Sequence, residues 1–158
     1  MPGESPRFRR PIRFVADSQK VLGGMPEEVR ESFGYSLMLV QYGDHPDGAR
    51  PFGEGVNSDV MKLVEDDDGE TYRAAYVIAF EGVVYVLDVF QKKSTSGIAT
   101  PKDDLRRVKL RYQAAKRDYE KNKAEYVAAA TKAAIEAGKR AEARAAKRNK
   151  TTRRKHHG

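Results

Sequence analysis

The chain has 158 residues, of which 39% are hydrophobic and 34% are charged, and it contains neither cysteine nor tryptophan. That length fits one domain with an appendage and excludes a large multidomain enzyme. The lack of cysteine excludes a disulfide scaffold, a thiolate metal site and a cysteine nucleophile. No apolar run approaches the ~20 residues that span a bilayer, and the N-terminus lacks an apolar stretch of secretory length. We therefore expect a soluble cytoplasmic protein.

The charge is distributed unevenly along the chain. Residues 1–101 contain 11 Lys and Arg against 16 Asp and Glu, a net charge of −5. Residues 102–158 contain 19 against 7, a net charge of +12. The overall charge of +7 therefore describes a basic C-terminal segment attached to a mildly acidic body. A segment of this sign is an expected partner for polyanions such as RNA or DNA.

The N-terminal part of the sequence predicts a short strand followed by a helical hairpin. Residues 1–10 are polar and proline-bearing, and residues 11–16 alternate as a strand does. Residues 18–42 have helical periodicity, with Ser18 placed to cap the first helix and Pro26 at the start of the second. In the second helix Val29, Phe33, Leu37 and Val40 recur at helical spacing and form an apolar stripe, and Gly43 is a natural C-terminal stop.

Three strands are predicted next, joined by tight turns. Residues 59–64 form the first, and an acidic turn over residues 65–69 follows it. Two β-rich runs, 71–80 and 83–90, are separated by two residues, which predicts a two-residue hairpin and an antiparallel meander.

The alternation within these runs assigns side chains to the two faces of the sheet. In the first run Tyr72 and Tyr76 share one face, and Arg73 lies on the other. In the second run Asp88 and Phe90 alternate against Leu87, Tyr85 and Val89, so regular pleating places Asp88 on the face of Val84 and Val86.

A long helical pattern begins at Thr100 and continues to about residue 148. Thr100, Pro101 and Asp103 make a compact helix start, in which Thr100 can cap and Asp103 can reach back. An apolar stripe follows at helical spacing: Leu105, Val108, Tyr112, Ala115 and Tyr119. Residues 120–158 are expected to project into solvent, so that removing them leaves the fold intact.

The stretch from Thr71 to Lys102 resembles the phage-derived, toxin-like branch of the RelE/HigB superfamily. The matching features are Tyr72-Arg73 followed by Tyr76, the phrase Phe90-Gln91-Lys92-Lys93-Ser94, and Thr100-Pro101. The resemblance implies an α+β fold with a small twisted antiparallel sheet and an N-terminal helical hairpin, to which this chain adds a long basic C-terminal helix. The expected segments are a flexible N-terminus at 1–10, the toxin domain at 11–119 and the basic extension at 120–158.

The resemblance also implies a function and a site. Such a protein is the toxin of a type II toxin–antitoxin module. It cleaves mRNA on the ribosome without a metal or other cofactor, and an antitoxin, expected to be of the helix-turn-helix type, neutralises it. Cationic side chains stabilise the charge of the phosphorane-like transition state. The residues assigned to catalysis are Arg73, Lys92, Lys93 and Asp88. The residues expected to contact nucleic acid are Lys62, Tyr76, Arg106 and Arg107, with the basic tail as a further DNA contact.

Departures from the family pattern keep other functions open. Asp88 stands where the family often has histidine, and Lys62-Leu63-Val64 where it commonly has Glu-aliphatic-Arg. Asp88 is equally consistent with a structural ion pair to Arg73, and Tyr76 fits the hydrophobic core better than a base-stacking role. The alternatives are a toxin-fold protein that binds nucleic acid without cutting it, a ParE-like gyrase poison, and a phage regulatory or structural accessory protein. The tail is either an electrostatic arm or a helix that docks on a partner.

Overall fold

The computed structural model describes residues 8–92 and 100–156, which form a five-stranded sheet with helices on both faces. The strands are β1 (Ile12–Phe14), β2 (Arg50–Pro51), β3 (Val60–Asp67), β4 (Glu70–Val77) and β5 (Val84–Lys92). The helices are α1 (Ser18–Gly23), α2 (Glu27–Gln41) and α3 (Lys102–His156). The α+β class and the long C-terminal helix agree with the prediction.

The strand order is β1-β5-β4-β3-β2, and the sheet is mixed. The central meander of β3, β4 and β5 is antiparallel, as predicted, but β1 pairs in parallel with β5 at one edge. A fully antiparallel sheet was therefore the wrong expectation. Neighbouring parallel strands need a long connection between them. The helical hairpin and the strands β2 to β4 provide that connection between β1 and β5.

Each face of the sheet has its own hydrophobic layer. The predicted apolar stripe of α2, which includes Val29, Phe33 and Leu37, packs on the face that carries Tyr72 and Tyr76. The opposite face, which we call the α3 face, packs against a stripe of α3: Val108, Tyr112, Ala115, Tyr119 and Tyr126. A fully buried Val, Leu or Phe side chain contributes about 1.5–3 kcal/mol of transfer free energy. Both layers therefore stabilise the sheet.

A β-bulge in β5 changes which side chains face α3. Ala75 lies opposite Asp88 while the next residue, Tyr76, lies opposite Val86, so Leu87 is an extra residue in β5. The extra residue shifts the alternation. Leu87 and Phe90 therefore pack in the layer under α3, and Val89 packs in the layer under α2. The predicted placement of Asp88 on the face of Val84 and Val86 was wrong for this reason, since Asp88 bonds to α3.

The turns differ from the prediction in width. β3 continues to Asp67, and the acidic turn contracts to Asp68 and Gly69, both with positive φ (50° and 77°), as a two-residue hairpin turn requires. The β4–β5 connection is wider than the predicted two residues, because β4 ends at Val77 and β5 begins at Val84.

The first helix also starts differently from the prediction. Ser18 was expected to cap α1, but its side chain is buried and its hydroxyl donates to the Val86 carbonyl at 3.3 Å. Asp17 precedes the helix without a side-chain cap.

The helix α3 runs unbroken for 55 residues, about 82 Å at 1.5 Å per residue. Its packed part extends beyond Tyr119, because Tyr126 is also buried and its ring stacks on that of Tyr119 with centroids 6.1 Å apart. Arg13 donates to the Tyr126 hydroxyl at 2.8 Å. The expectation that the docked stripe ends at Tyr119 was wrong. In the described ranges no helix combines the length and apolar character that crossing a membrane requires.

Candidate phosphate-binding site

Four basic side chains gather on the α3 face of the sheet. Arg50 of β2 pairs directly with Lys62 of β3, and cross-strand partners share a face. Arg73 projects from β4 and Lys92 from the end of β5, where it pairs with Thr71. We call these four side chains the cationic cluster. It contains two of the residues predicted as catalytic and one predicted to bind nucleic acid.

The other three members of the cluster act electrostatically on Lys62. Burial lowers the pKa of the Lys62 ammonium, and the charges of Arg73, Arg50 and Lys92 lower it further. Glu54 opposes them and raises the pKa. The cluster therefore disfavours additional positive charge at Lys62, which is the condition under which an anion binds well.

Arg73 is held at the buried base of the cluster. Its side chain is 5% exposed, and its Nη1 donates to the Thr100 hydroxyl at 2.7 Å. The same nitrogen lies 4.0 Å from Oε2 of Glu54. A guanidinium fixed on a central strand is preorganised, so it loses little entropy when it binds an oxyanion.

Glu54 enters the cluster from the loop between β2 and β3. The loop has three consecutive residues with positive φ, Gly53 (74°), Glu54 (54°) and Gly55 (79°). The Glu54 carboxylate accepts two hydrogen bonds of 2.6 Å from Thr100, one from the backbone N–H and one from the hydroxyl. Although burial raises its pKa, the Thr100 bonds and the charges of Arg73 and Lys62 lower it, so Glu54 is ionised. Sequence reasoning missed Glu54, although a charged residue between two glycines was a visible signal.

Asp88 lies in a separate ion network between β5 and α3. Its carboxylate accepts from Arg107 Nε at 2.7 Å and from Arg111 Nη1 at 2.9 Å. Arg107 also bonds Asp104, and Arg111 also bonds Asp17. Burial raises the pKa of Asp88, and the two guanidinium groups oppose that rise. This arrangement favours the structural role left open for Asp88, with Arg107 and Arg111 as its partners instead of Arg73.

The other predicted site residues are dispersed. Tyr76 is buried in the layer under α2, on the face opposite the cluster, and burial raises its pKa to about 12. Arg106 is exposed on α3, beside the loop residues Gly55 and Asn57. Arg107 is tied to Asp88 and Asp104, and Lys93 lies outside the described residues. Within the described ranges, no group of His, Asp and Glu could hold a metal ion.

Comparison with known proteins gives one family. Residues 20–113 match the sequence profile of a family described as phage derived protein Gp49-like. This range includes all four residues of the cationic cluster. No curated protein is significantly similar to the chain. Among solved structures, the chain is similar to a double mutant of the E. coli toxin RelE in the free state. The two share 20% identity over 55% of this chain and 87% of that chain, with a TM-score of 0.42.

Proposed function

The chain belongs to the phage-derived Gp49-like family, a family of RelE-like toxins, and on that basis we propose that it is the toxin of a type II toxin–antitoxin module. We propose further that it binds mRNA at the ribosome and cleaves it through attack of a 2′-hydroxyl. The observation that supports this is the cationic cluster, which gathers four basic side chains on one face of a rigid sheet.

The chemistry of the cluster suits a phosphodiester. Arg73 offers a planar fork of donors that matches two phosphate oxygens, and Lys92 supplies a second positive charge. Lys62 has a lowered pKa, so its neutral form is more accessible than that of an ordinary lysine. In the proposed step, Lys62 takes the proton of the 2′-hydroxyl while the 2′-oxygen bonds to phosphorus. The bond to the 5′-oxygen breaks, and that oxygen takes a proton from solvent.

This assignment revises the catalytic set. Asp88 is left out, because its carboxylate is 2% exposed and both of its oxygens are engaged by arginines. Tyr76 is left out because it lies under α2. Arg73 and Lys92 remain, Lys62 joins them from the residues expected to contact nucleic acid, and Lys93 lies outside the described residues. Removal of one charge-stabilising donor costs about 100- to 1,000-fold in rate in comparable sites.

The test is tightly controlled expression in bacteria, followed by growth measurement and mapping of new mRNA 5′ ends. We compare the wild type with Arg73→Lys and Lys62→Gln, and use Lys116→Gln, an exposed lysine of α3, as the matched control. We expect arrest and new transcript ends for the wild type and the control, and neither for the two cluster variants. Arrest without new ends, accompanied by altered DNA supercoiling, would instead support a gyrase poison.

A second proposed contact with nucleic acid is the distal part of α3. Residues 127–155 hold ten Lys and Arg against two Glu, and their side chains are largely exposed. They extend the helix about 45 Å beyond the packed part. We propose that this arm binds ribosomal RNA or DNA through phosphates without reading sequence. The logarithm of affinity should then fall linearly with the logarithm of salt concentration, and the slope should shrink when residues 129–158 are removed.

Neutralisation by an antitoxin belongs to the same proposal. An inhibitor that covers the cationic cluster should present acidic side chains to it. A small helix-turn-helix reading frame adjacent to this gene is the candidate. Co-expression of the two proteins should restore growth. The two purified proteins should also form a complex when they are mixed. Growth arrest that the adjacent product leaves unchanged would count against that partner.

A further inference from the structure

The Glu54 carboxylate stands among the donors that a bound phosphate would use. It accepts both the backbone N–H and the hydroxyl of Thr100, and it lies 4.0 Å from Nη1 of Arg73. We infer that Glu54 occupies the position of the substrate phosphate in the free protein, and that binding of a phosphodiester displaces it. The inference rests on the proposed function, because it takes the cationic cluster to be the phosphate site.

The donors that hold Glu54 are the kind that recognise phosphate. Thr100 lies just before α3, where backbone N–H groups and the helix dipole attract anions. The Thr100 hydroxyl donates to Glu54 and accepts from Arg73, so it joins the guanidinium to the carboxylate. A phosphate oxygen in place of Oε2 would accept the same hydroxyl proton and would approach the same guanidinium. The protein thus saturates its anion site with its own anion.

The position of Glu54 relative to Arg73 fits displacement. The Glu54 side chain is 26% exposed and that of Arg73 is 5% exposed, so the carboxylate is the outer member of the pair. Lys62 and Lys92 are half-buried, so they are more accessible to an incoming phosphate than Arg73 is. The loop that carries Glu54 has glycine on both sides, and glycine crosses between backbone regions at low cost.

The alternative is that Glu54 only neutralises the cluster. Both roles place a carboxylate among cations, but they predict opposite effects when its charge is removed. A neutralising residue keeps Arg73 and Lys62 in place, so its loss disorders the site and weakens anion binding. A competing residue blocks the site, so its loss strengthens anion binding.

The experiment measures binding of inorganic phosphate to the full chain by calorimetry at constant ionic strength. Glu54→Gln keeps the length of the side chain and an acceptor for the Thr100 N–H, but removes the charge. We expect its affinity for phosphate to rise about tenfold, since a charge-assisted competitor has been removed. Glu31→Gln, an exposed residue of α2, is the matched control and should bind phosphate as the wild type does. Unchanged or weaker binding by a folded Glu54→Gln protein would overturn the inference, whether or not the wild type cleaves RNA.

A second measurement needs no variant. In the wild type, saturation with phosphate should release the Glu54 carboxylate from Thr100 and shift the carbon resonance of its carboxyl group. A Glu54 resonance that stays unchanged while phosphate saturates the protein would also overturn the inference. The two proposals can fail separately. If phosphate binds as expected but the protein does not cleave RNA, displacement of Glu54 holds and cleavage does not.

Discussion

Two carboxylates lie on the α3 side of the sheet, Asp88 on strand β5 and Glu54 on the loop between β2 and β3, and they are held in opposite ways. Asp88 is 2% exposed, and its partners Arg107 and Arg111 each bond a second carboxylate. Glu54 is 26% exposed and lies among the four basic side chains of the cationic cluster. The first network nearly balances its charges, with three carboxylates and two guanidinium groups, whereas the second places Glu54 among four basic side chains.

The difference in charge balance separates structure from function. A buried pair whose charges and hydrogen bonds are satisfied joins β5 to α3 and offers little to a ligand. Basic side chains held close together repel one another, and the protein recovers part of that free energy when an anion binds between them. The sheet thus has a packed region, from Asp88 to the contact with Tyr126, and an open region at the cationic cluster. The predictions below test that division.

The largest effect is expected at Asp88. Asp88→Asn removes the buried charge between two partly buried arginines, and breaking such a pair costs about 3–5 kcal/mol of unfolding free energy. Urea denaturation of the two proteins measures the difference. Glu54→Gln is the contrasting variant and should lose less than about 1 kcal/mol, because the Glu54 carboxylate is partly exposed and Gln keeps an acceptor for the Thr100 N–H. Equal losses at the two positions would contradict the division into packed and open regions.

Truncation of α3 should reveal where packing ends. A chain ending at residue 128 keeps all the buried side chains of the helix, and we expect its stability to match that of the full chain within about 0.5 kcal/mol. A chain ending at residue 119 loses the buried ring of Tyr126 and its bond to Arg13, at a cost of about 3 kcal/mol. Thermal unfolding of both chains tests this. If both were as stable as the full chain, the contact at Tyr126 would contribute nothing.

Gly82 tests the same contact from the side of the sheet. A Cβ added there would lie 2.6 Å from the Tyr126 carbonyl oxygen, at a φ of +86°. Gly82→Ala should therefore lose about 2 kcal/mol through overpacking and strain. Gly69→Ala is the matched control, since its φ is +77° but no atom lies within 4 Å, and it should lose only about 1 kcal/mol. If the two variants lost similar amounts of unfolding free energy, backbone strain alone would explain the effect at Gly82.

The sequence predicted the elements better than the contacts between them. Apolar spacing indicated α2, and Gly43, with a φ of +85°, ends that region as expected. The parallel pairing of β1 was not predictable, because it depends on a strand distant in sequence. The bulge at Leu87 was hidden because β5 is apolar on both of its faces from Val84 to Leu87, so the sequence does not show where the alternation shifts.

The basic residues of the candidate site could be named from the sequence, whereas the contacts between its residues could not. Arg73 and Lys92 followed from the family resemblance, and Lys62 from its position on the preceding strand. Glu54 and Thr100 required the tertiary structure, because the contact joins a loop to the start of a helix 46 residues later. The role of Asp88 also required it, since its partners Arg107 and Arg111 come from α3.

The smallest predicted effect is a pH dependence of stability at Lys62. Burial and the charge of Arg73 lower the pKa of Lys62 in the folded protein. Between that lowered value and the ordinary value of about 10.4, the unfolded chain binds more protons than the folded chain. Stability contributed by this group therefore rises with pH through the window, and the cost of holding the charge is fully present below it.

Lys62→Gln removes this dependence. Relative to the wild type, the variant should gain most stability at neutral pH, and the gain should decline as the pH approaches about 10. Urea denaturation of both proteins across that range measures it, with Lys116→Gln as an exposed control that should show no trend. A gain that instead grew with pH would mean that Lys62 is stabilised in its charged form. The cationic cluster would then be balanced as the Asp88 network is, and the contrast between the two regions would fail.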